Sequence, residues 1–331
     1  MLLSKTRHIE DPTAPEAHPA AYAPGRDVSR PTRFGWAAWR GVLGRVYANI
    51  GRHHLSVVAA GVAFFGVLAI FPGLAALVGL YGLIANPADV MAHLDDIQPL
   101  LPPDAYGLIE SQLQALLDVP QQQLGVAFVV AILLALWSAR AGVSTLVEGL
   151  NIVYREIDTR NIVLEFLASL ALTALLLMVA CAALLASVAL PALLQFLDVG
   201  ALGTRLAALG PLLILGFAVV FVIGALYRYG PHREMARKRW VTLGAVAATV
   251  AWVLASFLLS FYISNFANFN KTYGSLGAIA ALMFWFYVSA FVVLLGAELN
   301  AEMELQTTRD TTTGPPRPMG DRGAYVADHV A

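Results

Sequence analysis

The sequence predicts an all-α membrane protein: six transmembrane helices with both termini cytoplasmic, preceded by an amphipathic interfacial helix. Three observations carry that prediction. Of 331 residues, 58% are hydrophobic and 13% charged, against about 25% charged in a typical soluble domain. The apolar residues gather into six blocks, each long enough to cross a bilayer. The cations between those blocks alternate as the positive-inside rule requires. The same composition excludes a disordered chain, which lacks this much apolar surface.

A helix needs about 20 mostly apolar residues to cross the roughly 30 Å hydrocarbon core. Spans are predicted over about 57–84, 124–147, 162–190, 209–227, 241–263 and 276–299, the third stopping at Pro191. The blocks are too long and uniform for the short alternating strands of a barrel. The polar residues ahead of the first block lack the form of a cleavable signal, so the first span is expected to be a retained anchor.

Outside the spans, residues 1–32 are rich in Pro, Ala and charge and read as a disordered cytoplasmic N-terminus. Residues 33–306 form the membrane domain, and 307–331 read as a disordered cytoplasmic tail. Ahead of the first span lies RFGWAAWRGVLGRVYANIGRHHL. Trp36, Trp39, Val42, Leu43, Val46 and Ile50 recur there at three- and four-residue spacing, the pattern of an interfacial helix. The alternative is a connector whose tryptophans mark the membrane interface. The loop 85–123 suggests one or two short helices separated by Pro99, Pro102 and Pro103.

The orientation follows from counting charges. Eight cations precede the first span: Lys5, Arg7, Arg26, Arg30, Arg33, Arg40, Arg45 and Arg52. The loop 85–123 holds no Lys or Arg and six acids. Arg155 and Arg160 follow the second span, Arg205 the third, and Arg228, Arg233, Arg237, Lys238 and Arg239 the fourth. Lys271 follows the fifth, and Arg309, Arg317 and Arg322 lie in the tail. That alternation places both termini in the cytoplasm and supports six spans independently of hydropathy.

Polar residues within spans are costly and mark function by default. Arg140, Ser144, Val147 and Asn151 form a stripe at spacings of four, three and four, with Glu148 one position off. They are candidate contacts for a substrate or lipid, Arg140 gripping a phosphate or carboxylate. The alternative is an arginine snorkelling to the inner headgroups. Ser256 and Ser260 in the fifth span, with Trp285, Ser289 and Asn300 in the sixth, would line a polar groove or pack helices together. Glu298 and Glu302, one turn apart, are a candidate ion-pair latch with Arg140 or the basic loop 228–239. Pro72 should kink the first span, because it removes a backbone bond.

No phosphate-binding loop, metal-ligating His and Asp cluster or nucleophile elbow is legible. No cofactor, no metal and no catalytic residue are therefore expected. The lone Cys181 cannot form an internal disulfide. Basic residues beside a membrane are explained by topology, so membrane lipids, anionic ones included, are expected partners and nucleic acid is not. A homo-oligomer is left open.

Several stretches together resemble a known family. They are AAGVAFFGVLAIFP at 59–72, LWSARAGVSTLVEGLNIVYRE at 136–156, LYRYGPHR at 226–233, SFYISNF at 260–266 and TYGSLGAIAALMFWFYVSAFVVLLGAELNAEME at 272–304. The chain resembles the YihY/virulence factor BrkB family of bacterial inner-membrane proteins over about residues 34–306. The resemblance implies a six-span helical fold in the bacterial cytoplasmic membrane and brings with it the label ribonuclease BN. It transfers no catalytic residue. The leading expectation is an envelope transporter for an anionic lipid or metabolite. A non-transporting membrane scaffold for envelope integrity is the alternative, and a membrane-associated ribonuclease a distant one.

Overall fold

A computed structural model of the chain describes residues 24–84, 121–196, 200–265 and 276–331. After a short 3-10 turn at Pro31–Arg33 come α1 (Trp36–Arg52), α2 (Leu55–Ile84), α3 (Gln121–Tyr154) and α4 (Ile162–Phe196). They are followed by α5 (Gly200–Tyr229), α6 (Lys238–Asn265), α7 (Leu276–Leu305) and α8 (Tyr325–Asp328). Among the described residues there is no strand, only an isolated bridge between Ala236 and Thr312. The acidic loop over 85–120 and the expected disorder over 1–23 lie outside the described residues.

Helices α2 to α7 each contain a segment long and apolar enough to cross a membrane: Leu55–Ala76, Gly125–Tyr154, Ile162–Ser187, Leu209–Tyr229, Lys238–Tyr262 and Ile279–Leu305. These segments turn large apolar side chains outward, among them Leu133, Leu184, Leu185, Phe217 and Phe257. Water would penalise so much exposed apolar surface, whereas a bilayer accepts it. Every spanning helix runs past an expected end; α5 starts at Gly200, and α4, expected to stop at Pro191, continues to Phe196, because a proline lacks only its own N–H and helix can persist around it. At the polar ends α3 continues to Tyr154, α7 to Leu305, and α6 starts at Lys238. The added turns are polar and are held by side-chain bonds described below. Helix α2 continues through Pro72, and α5 through Pro211.

The chain divides into two compact units, the first comprising Met1–Val58, Ser144–Leu254 and Ser289–Ala331. Within it, α6 and α7 meet at glycines. A Cβ on Gly244 would lie 2.5 Å from the Gly296 carbonyl oxygen, and one on Gly296 would lie 2.7 Å from the Ala248 Cβ. Only hydrogen fits at such an approach, as is usual where membrane helices pack through small residues. Asn300 locks the contact. Its Oδ1 accepts from the Gly244 N–H at 3.0 Å and its Nδ2 donates to the Val241 carbonyl at 3.2 Å. Trp252 Nε1 donates to Ser289 Oγ at 2.9 Å, and the Tyr227 hydroxyl donates to the Val293 carbonyl at 2.6 Å.

Helix α1 is amphipathic, as its periodicity predicts, but its buried stripe shares only Val42 and Val46 with the predicted one, Trp39 packing beside them. Ala38, Val42, Val46 and Asn49 are buried, and the apolar members pack with Phe34, Trp240 and Met303. Trp36, Leu43 and Tyr47 are exposed on another face. The helix ends where His54 takes a left-handed φ of 51° and the chain turns into α2.

The expected disorder of 307–331 is corrected by the structure. This tail folds back on the helix ends. The Thr307 and Thr308 hydroxyls donate to the Arg26 carbonyl, and the Thr308 N–H donates to it as well. Asp328 accepts from the N–H groups of Gly320, Arg322 and Gly323. Arg322 donates to the carbonyls of Ala327 and Thr308, and Tyr325 N–H to Glu156 Oε1 at 2.7 Å. Residues 24–32 are likewise ordered by these partners, with Gln306 Nε2 donating to the Pro24 carbonyl. A segment poor in apolar residues can order when each polar group finds a fixed partner.

The second unit comprises Ala59–Val143 and Ala255–Val288. Here Ala59, Ala63 and Val67 recur on one buried stripe of α2. The Phe286 ring closes over Gly66, where a Cβ would meet it at 3.1 Å.

Candidate functional site

The polar ends of α3, α4 and α5 enclose a cavity of about 170 Å³ within the first unit. Its polar lining is Ser144, Glu148 and Asn151 from α3, Asp158 and Arg160 from the connecting turn, Glu165 and Ser169 from α4, and Tyr229 from α5. Local geometry places each of them. Arg155 takes a left-handed φ of 57° and ends α3, and the Glu156 N–H returns to the Asn151 carbonyl at 2.8 Å. The Asp158 carboxylate then accepts from the backbone N–H and the Nε of Arg160, at 3.0 and 2.9 Å, and from its Nη2. Asn161 caps α4, its Oδ1 accepting from the Leu164 N–H at 2.8 Å, and so sets Glu165 one turn inside the helix. Asn151 Oδ1 accepts from the His232 N–H at 2.8 Å, which ties the loop after α5 to the cavity wall.

The electrostatics of this turn are set by burial and by one arginine. Burial pushes the Asp158 carboxyl up, but the hydrogen bonds and charge of Arg160 outweigh it and hold the group below the usual carboxylate range. His232 is pushed down, by burial first, against the pull of Asp158. The cavity therefore presents three carboxyl groups and one guanidinium, and the guanidinium already faces one of the three.

A second cluster lies in the same unit, built on three buried acids of α7. Asn49 Nδ2 donates to Glu298 Oε1 at 2.8 Å and to Glu302 Oε1 at 2.9 Å. His53 Nδ1 meets Glu298 Oε2 at 2.8 Å. Arg45 pairs with Glu302 through its Nε and with Gln306 Oε1 at 2.7 Å, and Arg155 Nη2 lies 3.6 Å from Glu302 Oε1. Arg233 forks onto Glu304 at 2.7 and 3.2 Å, with its guanidinium 4.7 Å from the centre of the Tyr154 ring. Thr311 Oγ1 adds a 2.6 Å bond to Glu304. Glu156, in the turn after α3, is pushed up to about 7, by burial first, against the Tyr325 N–H bond and Arg233.

The structure thus sorts the predicted residues. Ser144, Glu148 and Asn151 do line one cavity. Arg140 is half-buried in the second unit and is not among the lining residues. Of the two candidate latch acids, Glu302 pairs with Arg45 and Arg155 and Glu298 bonds Asn49 and His53, while the basic loop supplies Arg233 to Glu304. Asn300 and Ser289 bond between α6 and α7. In the second unit Ser256 and Trp285 are half-buried and Ser260 is exposed. Asp158, Arg160, Glu165 and Tyr229 were not singled out from sequence. Asn161 followed four residues later by a lone acid in an apolar run was the available signal.

Comparisons with known proteins agree with this architecture. Residues 46–320 match the family described as Virulence factor BrkB. A Bacillus subtilis (strain 168) protein named ribonuclease-like protein YfkH is 31% identical over 269 residues, 78% of this chain and 94% of its own length. A UPF0761 membrane protein of Psychromonas ingrahamii is 27% identical over 266 residues, 78% of this chain and 86% of its own length. No solved structure matches.

Proposed function

This chain belongs to the Virulence factor BrkB family, and we propose that it acts in the bacterial inner membrane as a non-enzymatic envelope transporter, with the cavity between α3, α4 and α5 as its substrate site. The observation that carries the reading is the cavity itself. Ionisable groups are expensive inside spanning helices and by default mark function, and Glu148 and Glu165 line this cavity. With the positive-inside orientation, N- and C-termini both cytoplasmic, the cavity opens at the cytoplasmic ends of three spans. Its charge revises the expected substrate. Glu148, Asp158 and Glu165 outnumber Arg160, so the site favours a substrate that presents a positive group, with or without an anionic one beside it. A purely anionic substrate gripped by Arg140 has less support.

Alternating access tests the reading without knowledge of the substrate. The exposed Cys181 is replaced by serine, and Ser144→Cys supplies one thiol on the cavity wall. A membrane-impermeant maleimide is applied to intact spheroplasts and to inside-out vesicles. A transporter exposes residue 144 to each side in turn, so labelling is expected in both preparations. Labelling from the cytoplasmic side alone would overturn transport and favour the scaffold.

A further inference from the structure

An apolar groove of about 560 Å³ lies farther along α4 and α5, two of the three helices that wall the cavity. Its lining is Val179, Ala182, Ala183 and Ala186 of α4, and Leu213, Ile214, Phe217, Ala218 and Phe221 of α5. The two linings share one face of each helix. On α4 the cavity takes Glu165, Ala168, Ser169 and Leu172, and the same three-and-four spacing continues through the half-buried Leu175 and Leu176 to Val179 and the alanines. On α5 Phe221, Ala225 and Tyr229 are successive turns of one stripe. Roughly 10 Å of helix separates the two linings on α4 and roughly 12 Å on α5, at 1.5 Å per residue. Each gap is less than half of the roughly 30 Å hydrocarbon core.

We infer that cavity and groove form one site for a phospholipid with an amine-bearing, zwitterionic headgroup: the headgroup occupies the cavity and an acyl chain runs along α4 and α5 into the groove. The inference rests on the proposed role of this cavity and names its occupant. Charge complementarity selects the headgroup. Glu148 and Glu165 supply acceptors for an ammonium group, while Arg160, which lines the cavity and holds Asp158 through Nε and Nη2, keeps its Nη1 outside that fork for a phosphate. The groove selects a chain rather than a soluble amine. It lies within the spanning segments Ile162–Ser187 and Leu209–Tyr229, and its lining is apolar throughout, with the small side chains of Ala182, Ala183, Ala186 and Ala218 leaving room beside Phe217 and Phe221.

The test uses the full-length protein reconstituted into nanodiscs of equimolar phosphatidylethanolamine and phosphatidylglycerol with matched chains. Retained lipid is then counted by native mass spectrometry. Loss of one hydrogen bond to a charged group corresponds to about 10-fold in affinity, so the parent is expected to retain phosphatidylethanolamine over phosphatidylglycerol by about that factor. Glu165→Gln should bring the ratio near one. Ala218→Phe, which fills the groove, should lower retention of both lipids and leave the ratio intact; Ala182→Leu replaces it if that variant is not monodisperse. Equal retention of the two lipids by the parent would overturn the inference, and so would a preference that survives Glu165→Gln. Unchanged retention in the groove variants would overturn the chain placement, as would loss of a dimer in those variants with lipid retention unchanged. The two readings fail separately. One-sided labelling of Ser144→Cys with the lipid preference intact removes transport and keeps the occupant. Two-sided labelling without a lipid preference does the reverse.

Discussion

Glu304→Ala should be among the most destabilising single changes in the first unit. Glu304 is fully buried and Arg233 is 2% exposed, and the fork between them is the main charge balance for both. Removing the carboxylate leaves a buried guanidinium facing the Tyr154 ring, and it frees the Thr311 hydroxyl as well. Breaking one side of a buried ion pair costs about 3–5 kcal/mol. At roughly 2–4 °C of melting temperature per kcal/mol for a domain of this size, Tm should fall by about 10 °C. The assay is thermal unfolding of the detergent-solubilised protein, followed by tryptophan fluorescence. The double variant Arg233→Met, Glu304→Leu separates the cost of a stranded charge from the worth of the pair. Apolar residues of similar volume can replace a buried pair at little cost. The double should therefore recover at least half of the loss, and the unpartnered Thr311 hydroxyl accounts for the remainder. A Glu304→Ala variant within about 1 kcal/mol of the parent would refute the reasoning, and so would a double variant no better than the single.

Three further outcomes follow from the same geometry. Glu302→Ala removes the acceptor shared by Arg45 and Asn49, so tryptic cleavage within α1 should accelerate by about 10-fold, the worth of one charged hydrogen bond; an unchanged digestion rate would show that apolar packing alone docks α1. Gly296→Ala would put a methyl 2.4 Å from the Tyr227 hydroxyl and 2.7 Å from the Ala248 Cβ, and overpacking of this kind costs about 1–3 kcal/mol, read as a lower Tm that Gly35→Ala, in open space, does not show. Glu156 has a folded pKa of about 7 against an ordinary 4.5. Below pH 4.5 both states hold the proton; between 4.5 and 7 only the folded state does, so stability falls as pH rises through that window and is flat above it. The loss is of the order of 3 kcal/mol. Glu156→Gln should flatten the slope, and a slope that persists in it would sink the assignment.

The spans were legible because a bilayer imposes a length on apolar sequence, and α1 because its apolar residues keep helical spacing. The periodicity of α1 did not say which stripe is buried. Trp36 and Leu43 are more apolar than Ala38 and Asn49, yet the second pair faces the protein. The choice is made by Glu298 and Glu302, which lie some 250 residues away in sequence and demand donors. The tail escaped for a related reason. TTRDTTTGPPRPMGDRGAYVADHVA has no hydrophobic period to read. Its order comes from capping carboxylates and one arginine, Asp310, Asp328 and Arg322, whose partners are not implied by their spacing.

The candidate site divides along a sharper line, between polar groups that are satisfied and polar groups that face open space. From sequence alone, every polar residue in a span has an equal claim to function. In the fold, Asn300 completes two bonds to backbone, Ser289 accepts from Trp252, and Glu298 and Glu302 are enclosed by Asn49, His53 and Arg45. Moving any of these to meet a ligand would strand a buried partner, so they are better read as the frame. Glu148, Glu165 and Arg160 differ because they border a volume that a ligand can enter. Two of them sit in the stretch 158–165, where sequence shows only a turn, a cap and a single acid opening an apolar run. Their significance comes from Ser144 and Asn151 on α3 and Tyr229 on α5 closing the other walls, and no one segment of sequence contains that arrangement.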